Sequence, residues 1–217
     1  MSLVLNVSEN KLRDIIKSKF EFLLRLFDFD PNRIPPHKIE VAVVCSIKEF
    51  LEIYKKEYLY TPPKYVVGFA ASNGRIFILH KELFEKRGHS KDEFEKVIAH
   101  ELCHIFVRRI LEPKSTFRWI EEGLCQYIAF KGQEFKVINF VNFRELETKE
   151  DWKKYRAYQQ SAKFFEFLDE KFGMKKIINF VKLVKFKKEY DAFKEVFGNF
   201  ESIQGKFLKS LDIENEN

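Results

Sequence analysis

Length, composition and charge restrict what this chain of 217 residues can be. Hydrophobic residues make up 45% of it and aromatic residues 16%, so disorder is excluded and one sizeable domain, or one with a helical extension, is expected. No run of 18 apolar residues occurs, and we therefore expect no membrane partner. The net charge of +6 comes from lysines that alternate with apolar residues, which favours solvated helix faces over nucleic-acid binding.

The first hundred residues predict a helix, a strand, a second helix and a hairpin. Apolar residues recur at helical spacing over residues 9–28, after which three prolines interrupt the chain. IEVAVVCS (39–46) predicts a strand and residues 47–58 predict a helix. YVVGFAAS and RIFIL then flank Asn73-Gly74, which is a tight-turn signal.

Helices dominate the rest of the chain. Ser90 and Glu93 form a capping-box pattern that begins a helix running to about Arg109. FRWIEEGLCQYIAFKG predicts a second helix at roughly 118–130. Beyond residue 150 the pattern is wholly helical, with the first helix ending at Gly173. Because the predicted strands lie in the first part of the chain and the last part is helical, the sequence predicts an α+β fold.

Residues 97–107, VIAHELCHIFV, place two histidines one turn apart on a helix that is apolar on most sides. At 100° per residue, His100, Glu101 and His104 share an arc of about 100°. Imidazoles at i and i+4 can ligate one metal ion, and Glu101 is displaced enough to reach a bound water instead. This is the H-E-x-x-H arrangement of zinc peptidases, in which the carboxylate takes a proton from activated water.

A catalytic zinc site needs a third protein ligand. No histidine follows His104, so zincins with a third, downstream histidine are poor matches. Three downstream carboxylates remain. Glu112 lies beside Pro113 with little room for the chain to turn back. Glu121 and Glu122 lie on the second helix, which could return alongside the first, and the residues alone leave the choice between them open.

The two motifs together resemble those of the gluzincins, specifically the peptidase MA-like group related to the thermolysin and aminopeptidase families. Their second motif has the form W-[LI]-x-E-G-x-A-x-Y. Cys125 replaces the usual alanine, and the matching positions are Trp119, Ile120, Glu122, Gly123 and Tyr127. The resemblance implies that the ligands of one zinc ion per chain are His100, His104 and Glu122, with Glu101 as general base.

The resemblance also extends to AYQQSAKFFEFLDEKFG, which is similar to the family's Y-x-Q-S helix. It implies a tyrosine that donates to the substrate oxyanion, and Tyr158 is the best-placed candidate. Tyr155 is the fallback, and a packed core tyrosine is the alternative for Tyr158. Cys103 and Cys125 are expected to be core thiols.

For the fold, the resemblance implies a zincin-like small mixed sheet with an edge hairpin packed on the active-site helix. RIFIL is expected to act as the edge strand that pairs with an extended substrate. We expect an N-terminal helical extension (1–37), a catalytic core (38–130) and a helical C-terminal subdomain (131–217). No G-x-M-E-N segment occurs, so an endopeptidase is favoured over an aminopeptidase.

The sequence therefore predicts a zinc metallopeptidase that acts on peptides or proteins. Two other readings stay open: a zinc-binding, catalytically idle regulatory domain, and a basic nucleic-acid-binding helical module. The three widely spaced cysteines fit a reducing interior, and the first residues, MSLVLNVSENKLRD, lack the regions of a signal peptide. The cytoplasm is the expected location.

Overall fold

The structure is a computed structural model that describes residues 9–30, 39–114, 117–146, 152 and 156–211. The chain divides into two compact units, Met1–Phe106 and Val107–Asn217. The described residues contain eight α-helices and a small three-stranded sheet, so the predicted mixture of helix and strand is confirmed, with helix in the majority. The zincin type of the fold and the limits of the three expected parts stay predictions.

The first unit holds the sheet, and its elements lie where the sequence predicts them. In chain order they are α1 (Glu9–Phe27), β1 (Glu40–Val44), α2 (Ile47–Tyr58), β2 (Gly68–Ala70) and β3 (Arg75–Leu79). β3 pairs in parallel with β1 and antiparallel with β2. The β2–β3 turn contains Gly74 at φ +83°, which glycine adopts without a steric cost.

The order of the strands corrects one expectation. RIFIL forms β3, which is the central strand, whereas the edge strand of the hairpin is β2, GFA. The last four residues of β3 are all buried, and a continuous apolar run of this kind suits a strand that is covered on both faces. A peptide that adds to the outer edge of this hairpin must therefore pair with β2.

A long helix, α3 (Phe94–Leu111), follows a 3₁₀ turn at Lys91–Glu93. The predicted capping box does not form. Ser90 Oγ accepts from the Asp92 backbone N–H at 3.3 Å, and the Glu93 carboxylate contacts His89 Nδ1 at 2.6 Å. The tight 3₁₀ turn brings the Asp92 N–H close to Ser90 Oγ. The His89 imidazole contacts the Glu93 carboxylate, which in a capping box would instead accept from the Ser90 backbone N–H.

Aromatic packing holds α1 against α3 within the first unit. The Phe106 ring lies 5.3 Å from Phe20, 5.8 Å from Phe27 and 5.7 Å from Phe29, measured between ring centroids. Burying a phenylalanine side chain stabilises a fold by about 1.5–3 kcal/mol. This cluster therefore fixes the position of the helix that carries the H-E-x-x-H motif.

The second unit is helical and is built around one tryptophan. Its helices are α4 (Arg118–Ala129), α5 (Ala157–Phe172), α6 (Met174–Val184), α7 (Glu189–Phe197) and α8 (Phe200–Ser210). Trp119 on α4 is 2% exposed. Each of the other four helices places a phenylalanine ring within 6.4 Å of it: Phe164, Phe180, Phe193 and Phe200. Among the described helices, none has both the length and the apolar content needed to cross a bilayer.

Candidate metal centre

The two histidines of α3 face the same point. Their Nε2 atoms lie 3.0 Å apart, and the rings are nearly perpendicular, with an interplanar angle of 84°. His104 is 4% exposed and His100 is half-buried. This geometry follows from the i, i+4 spacing, which stacks side chains on one face of a helix.

Helix α4 is anchored by packing contacts on both sides of Glu122, and these contacts hold Glu122 in place. Trp119, three positions earlier, is buried among the phenylalanines of the second unit. Gly123, the next residue, packs so closely on α5 that a Cβ there would lie 2.6 Å from Ser161 Cβ. Because both contacts set the rotation of α4 about its axis, the direction of the Glu122 side chain is set as well.

The carboxylate of Glu122 lies close to both histidines. A carboxylate oxygen of Glu122 and a ring nitrogen of each of His100 and His104 all lie within 4.8 Å of one another. These three side chains form a group that could hold a metal ion.

The other two carboxylates considered as ligands have arginine partners. Glu121 accepts a hydrogen bond from Arg108 Nε at 2.8 Å. Glu112 accepts one from Arg109 Nη1 at 2.9 Å and is exposed. These ion pairs orient both carboxylates.

The donor atoms suit a small tetrahedral ion. Zinc bonds imidazole nitrogen and carboxylate oxygen at about 2.0–2.2 Å, which puts neighbouring ligand atoms about 3.3 Å apart. The 3.0 Å between the Nε2 atoms is close to that value, and no separation within the group exceeds 4.8 Å. Imidazole nitrogen is a common ligand of transition metals, whereas magnesium and calcium prefer all-oxygen sites.

Glu101, between the histidines in sequence, is buried, with 6% of its surface exposed. The edge strand β2 passes directly beside it. A Cβ on Gly68 would lie 3.3 Å from Glu101 Oε1 and 2.8 Å from Val97 Cγ1. A glycine inside a strand often marks a close approach of the backbone, and Gly68 is such a glycine.

Tyr158 is half-buried near the beginning of α5. Its Oη accepts a hydrogen bond from Arg118 Nη2, and its ring packs edge-on against Trp152 at 5.2 Å. Arg118 Nε also lies 3.9 Å from Glu122 Oε1. Arg118 therefore lies close to both the Tyr158 hydroxyl and the Glu122 carboxylate. Tyr155, the fallback candidate, lies outside the described residues.

Tyr127, the last position of the second motif, ties α4 to α5. Its hydroxyl donates to Asp169 Oδ2 at 2.6 Å, and Lys131 Nζ reaches the same oxygen at 2.9 Å. Burial, followed by this hydrogen bond, raises the pKa of Tyr127. Burial alone would raise the pKa of Asp169, but the hydrogen bonds from Tyr127 and Lys131 together lower it. The pair is a structural link within the second unit.

Comparison with known families identifies the class of protein. Residues 5–205 match a family model described as "BSP: Peptidase of plants and bacteria". The chain belongs to this peptidase family. Comparisons with curated proteins and with solved structures gave no significant match. The expectation of a hydrolase that acts on peptides is therefore confirmed at the level of the family.

The matched segment of this peptidase contains both motifs and most of the helices of the second unit. The His100, His104 and Glu122 group thus lies wholly inside the region that defines the family. Two residues that contact candidate site residues were not predicted from the sequence: Gly68, beside Glu101, and Arg118, beside Glu122. Gly68 carried a signal in its position within a strand, whereas Arg118 depends on contacts with distant side chains.

Proposed function

We propose that this peptidase is a zinc-dependent enzyme of the gluzincin type, with His100, His104 and Glu122 as ligands of one zinc ion per chain. The convergence of these three side chains within 4.8 Å carries the proposal. Two imidazoles and one carboxylate leave one position open, which is the arrangement of a catalytic zinc. Membership of a peptidase family supports it, because hydrolysis of a peptide bond needs an activated water.

Glu101 is the proposed general base. When bound, zinc lowers the pKa of a water to about 7 and polarises the scissile carbonyl. The Glu101 carboxylate would accept the proton that the attacking water loses as its oxygen bonds to the carbonyl carbon. It then gives the proton to the nitrogen of the leaving amine as the C–N bond breaks. The burial of Glu101 limits competition from bulk water for the carboxylate.

Tyr158 is the proposed hydrogen-bond donor to the substrate carbonyl oxygen as that oxygen gains negative charge. Its hydroxyl accepts a hydrogen bond from Arg118, which holds the phenol in place near the beginning of α5. Donors that are held in place before the reaction stabilise the developing charge because they need no rearrangement.

The substrate is proposed to be an extended peptide that adds to β2. The backbone of β2 at Gly68 lies against Glu101, so a peptide paired with this strand would run past the proposed base. Pairing through backbone groups requires little matching of side chains. GFAASNG stands where an aminopeptidase would carry G-x-M-E-N, and this difference supports cleavage within a chain.

The cytoplasm remains the proposed location, on the odd number and wide spacing of the cysteines. Cys103 and Cys125 are both fully buried, as expected for core thiols.

Metal analysis and one substitution test the proposal. The purified chain should contain about one zinc per molecule and cleave an unfolded protein such as casein. Glu101→Gln should keep the zinc and lose at least about 100-fold in kcat. Wild-type activity in Glu101→Gln would contradict the mechanism. Zinc binding without any cleavage would favour an idle domain, and salt-sensitive DNA or RNA binding that survives zinc removal would favour a nucleic-acid module.

A further inference from the structure

A tight turn precedes the edge strand β2. The Val66 N–H donates to the Pro63 carbonyl at 3.1 Å, which closes the turn. The next residue, Val67, already pairs with β3, because its carbonyl accepts from the Leu79 N–H at 2.8 Å. The turn therefore leads directly into the strand on which a substrate is proposed to add.

Two basic side chains hold this turn by its carbonyl oxygens. Arg87 Nη2 donates to the Pro63 carbonyl at 2.6 Å, and His89 Nε2 lies 2.6 Å from the Tyr65 carbonyl oxygen. Both residues come from the loop ahead of α3, in which Phe84 is fully buried. The Phe84 carbonyl accepts from the backbone N–H groups of Arg87 and His89, at 2.8 Å and 3.1 Å. The loop is thus anchored in the core at the point where it holds the turn.

The imidazole of His89 has an acceptor at each ring nitrogen. Nδ1 lies 2.6 Å from Glu93 Oε2, and Nε2 faces the Tyr65 carbonyl. A carbonyl oxygen has no proton to give, so Nε2 must carry one. An ionised carboxylate likewise only accepts, so Nδ1 must carry the other. Both hydrogen bonds therefore form together only when the ring is doubly protonated.

Loss of one ring proton leaves a single N–H for two acceptors. A hydrogen bond to a carboxylate is roughly twice as strong as one between neutral groups. The remaining proton therefore stays on Nδ1, against Glu93, and the Nε2 lone pair then faces the Tyr65 carbonyl oxygen. Two lone pairs at this distance repel each other, so the Tyr65 end of the turn is released.

Glu93 is the carboxylate in direct contact with the ring, and the side chains of His89 and Glu93 are 24% and 26% exposed. Most other charges on the segments around the ring face solvent, where water and salt screen them. These segments carry Lys64 on the turn, Glu85, Lys86 and Arg87 in the loop, and Lys91 and Asp92 ahead of α3. Lys91 pairs with Glu82. The protonation of the ring therefore depends chiefly on Glu93.

Arg87 confines the release to one end of the turn. Its side chain is 7% exposed, and burial lowers its pKa. A guanidinium nevertheless keeps its proton throughout the range in which imidazoles titrate. The Pro63 end of the turn therefore stays bound when His89 releases the Tyr65 end.

We infer that His89 and Glu93 form a proton-dependent latch on the turn that leads into β2, closed while the imidazole carries two protons and open once it has lost one. The latch lies wholly within the first unit and requires neither zinc nor catalysis. Its consequence for the substrate rests on the proposed function: an open latch loosens the start of β2, so a peptide that adds to this strand binds more weakly as the pH rises.

Nuclear magnetic resonance can observe the latch at one peptide bond. Tyr65-Val66 is the only Tyr-Val pair in the sequence. Full-length protein with ¹³C at tyrosine carbonyls and ¹⁵N at valine amides therefore gives a single correlation between them. Ring ¹⁵N labels on histidine report the protonation of His89 in the same titration. The Tyr65 carbonyl resonance should move upfield as the pH rises, with the same midpoint as the His89 ring. A Tyr65 resonance that does not follow the His89 ring would overturn the inference.

Glu93→Gln distinguishes a latch from an ordinary structural contact. Without the carboxylate, a neutral ring can keep its one proton on Nε2, against Tyr65, and accept from the new amide at Nδ1. The Tyr65 resonance should therefore stay at its low-pH position throughout the titration. His89→Ala should hold it at the high-pH position instead. A Glu93→Gln titration equal to that of the wild type would overturn the inference.

His80→Gln is the matched control. His80 directly follows Leu79, which pairs with Val67, so it places a second imidazole beside the same strand. Its Nδ1 accepts from the Glu82 N–H at 3.4 Å. The Tyr65 titration should persist unchanged in His80→Gln. Its disappearance would overturn the inference, because the resonance would then report the general state of the sheet.

Peptide hydrolysis separates the latch from the proposed function. The ratio of KM in the wild type to KM in Glu93→Gln should rise about two- to tenfold as the His89 ring loses its proton, because the substrate must then order the start of β2. The ratio cancels the pH dependence that the two proteins share. A constant ratio beside a Tyr65 resonance that titrates as expected would support the latch and overturn β2 as the substrate strand. A Tyr65 resonance independent of His89 would overturn the latch, whether or not the protein cleaves peptides.

Discussion

Gly123 and Ser161 bring α4 and α5 into contact with almost no space between their backbones. A Cβ at position 123 would lie 2.6 Å from Ser161 Cβ, 3.0 Å from the Ser161 carbonyl carbon and 3.0 Å from Phe165 Cδ2. Ser161 Cβ and the Ser161 carbonyl carbon cannot move unless α5 itself moves. The glycine that follows the candidate ligand Glu122 is thus a packing requirement, and it fixes the helix that presents the carboxylate.

Gly123→Ala should destabilise the protein by about 1–3 kcal/mol, because the added methyl group overpacks the contact between the helices. This loss should outweigh the gain of about 1 kcal/mol that alanine normally brings to a helix. Urea unfolding measures the change. Gly205→Ala is the matched control: Gly205 also lies in a helix, but nothing stands within 4 Å of its missing Cβ, so stability should rise. Equal effects at the two positions would contradict the packing argument.

Gly68→Ala should impair catalysis while leaving zinc bound. The new Cβ would meet Val97 Cγ1 at 2.8 Å and Glu101 Oε1 at 3.3 Å, so either β2 or the proposed base must move. We expect kcat to fall about tenfold or more, since small displacements of a general base are costly. Adding Val97→Ala relieves the closer contact and should restore part of the activity, whereas Val97→Ala alone should leave it largely intact.

The sequence predicted that the two histidines lie together on one helix face, but it did not predict the contacts around them. The approach of His100 to His104 depends only on the repeat of one helix, so local pattern was sufficient. Choosing Glu122 over Glu121 needed the rotation of α4, which is determined by the distant contacts of Trp119 and Gly123. Only the family resemblance supplied that choice in advance.

The order of the strands and the contacts of Arg118 could not be predicted from local sequence patterns. Both strands of the hairpin are apolar, and which of them lies at the edge depends on whether β1 pairs with β3 or with β2. Arg118 meets Tyr158 across 40 positions of sequence. Such contacts follow from tertiary packing and leave no periodic signal along the chain.

Glu122→Gln and Glu121→Gln should separate the two adjacent carboxylates. Glu122→Gln should weaken zinc binding at least about 10-fold, because a neutral amide replaces a charged ligand. Glu121→Gln removes an ion-pair partner of Arg108, in a partly exposed pair worth about 0–1 kcal/mol, and should leave zinc affinity unchanged. Competition with a chelator of known affinity gives both constants. The reverse result would make Glu121 the ligand.

Tyr127→Phe should destabilise the protein by about 1–3 kcal/mol at pH 7, because it removes a hydrogen bond to the charged Asp169. The difference from wild type should shrink at high pH. The pKa of Tyr127 is raised in the folded state, so above its ordinary value of 10.0 the unfolded tyrosine loses its proton while the folded one keeps it. Stability from this group is therefore complete below pH 10 and declines above it. Urea midpoints of both proteins between pH 7 and pH 11 measure the effect, and a constant difference across that range would contradict it.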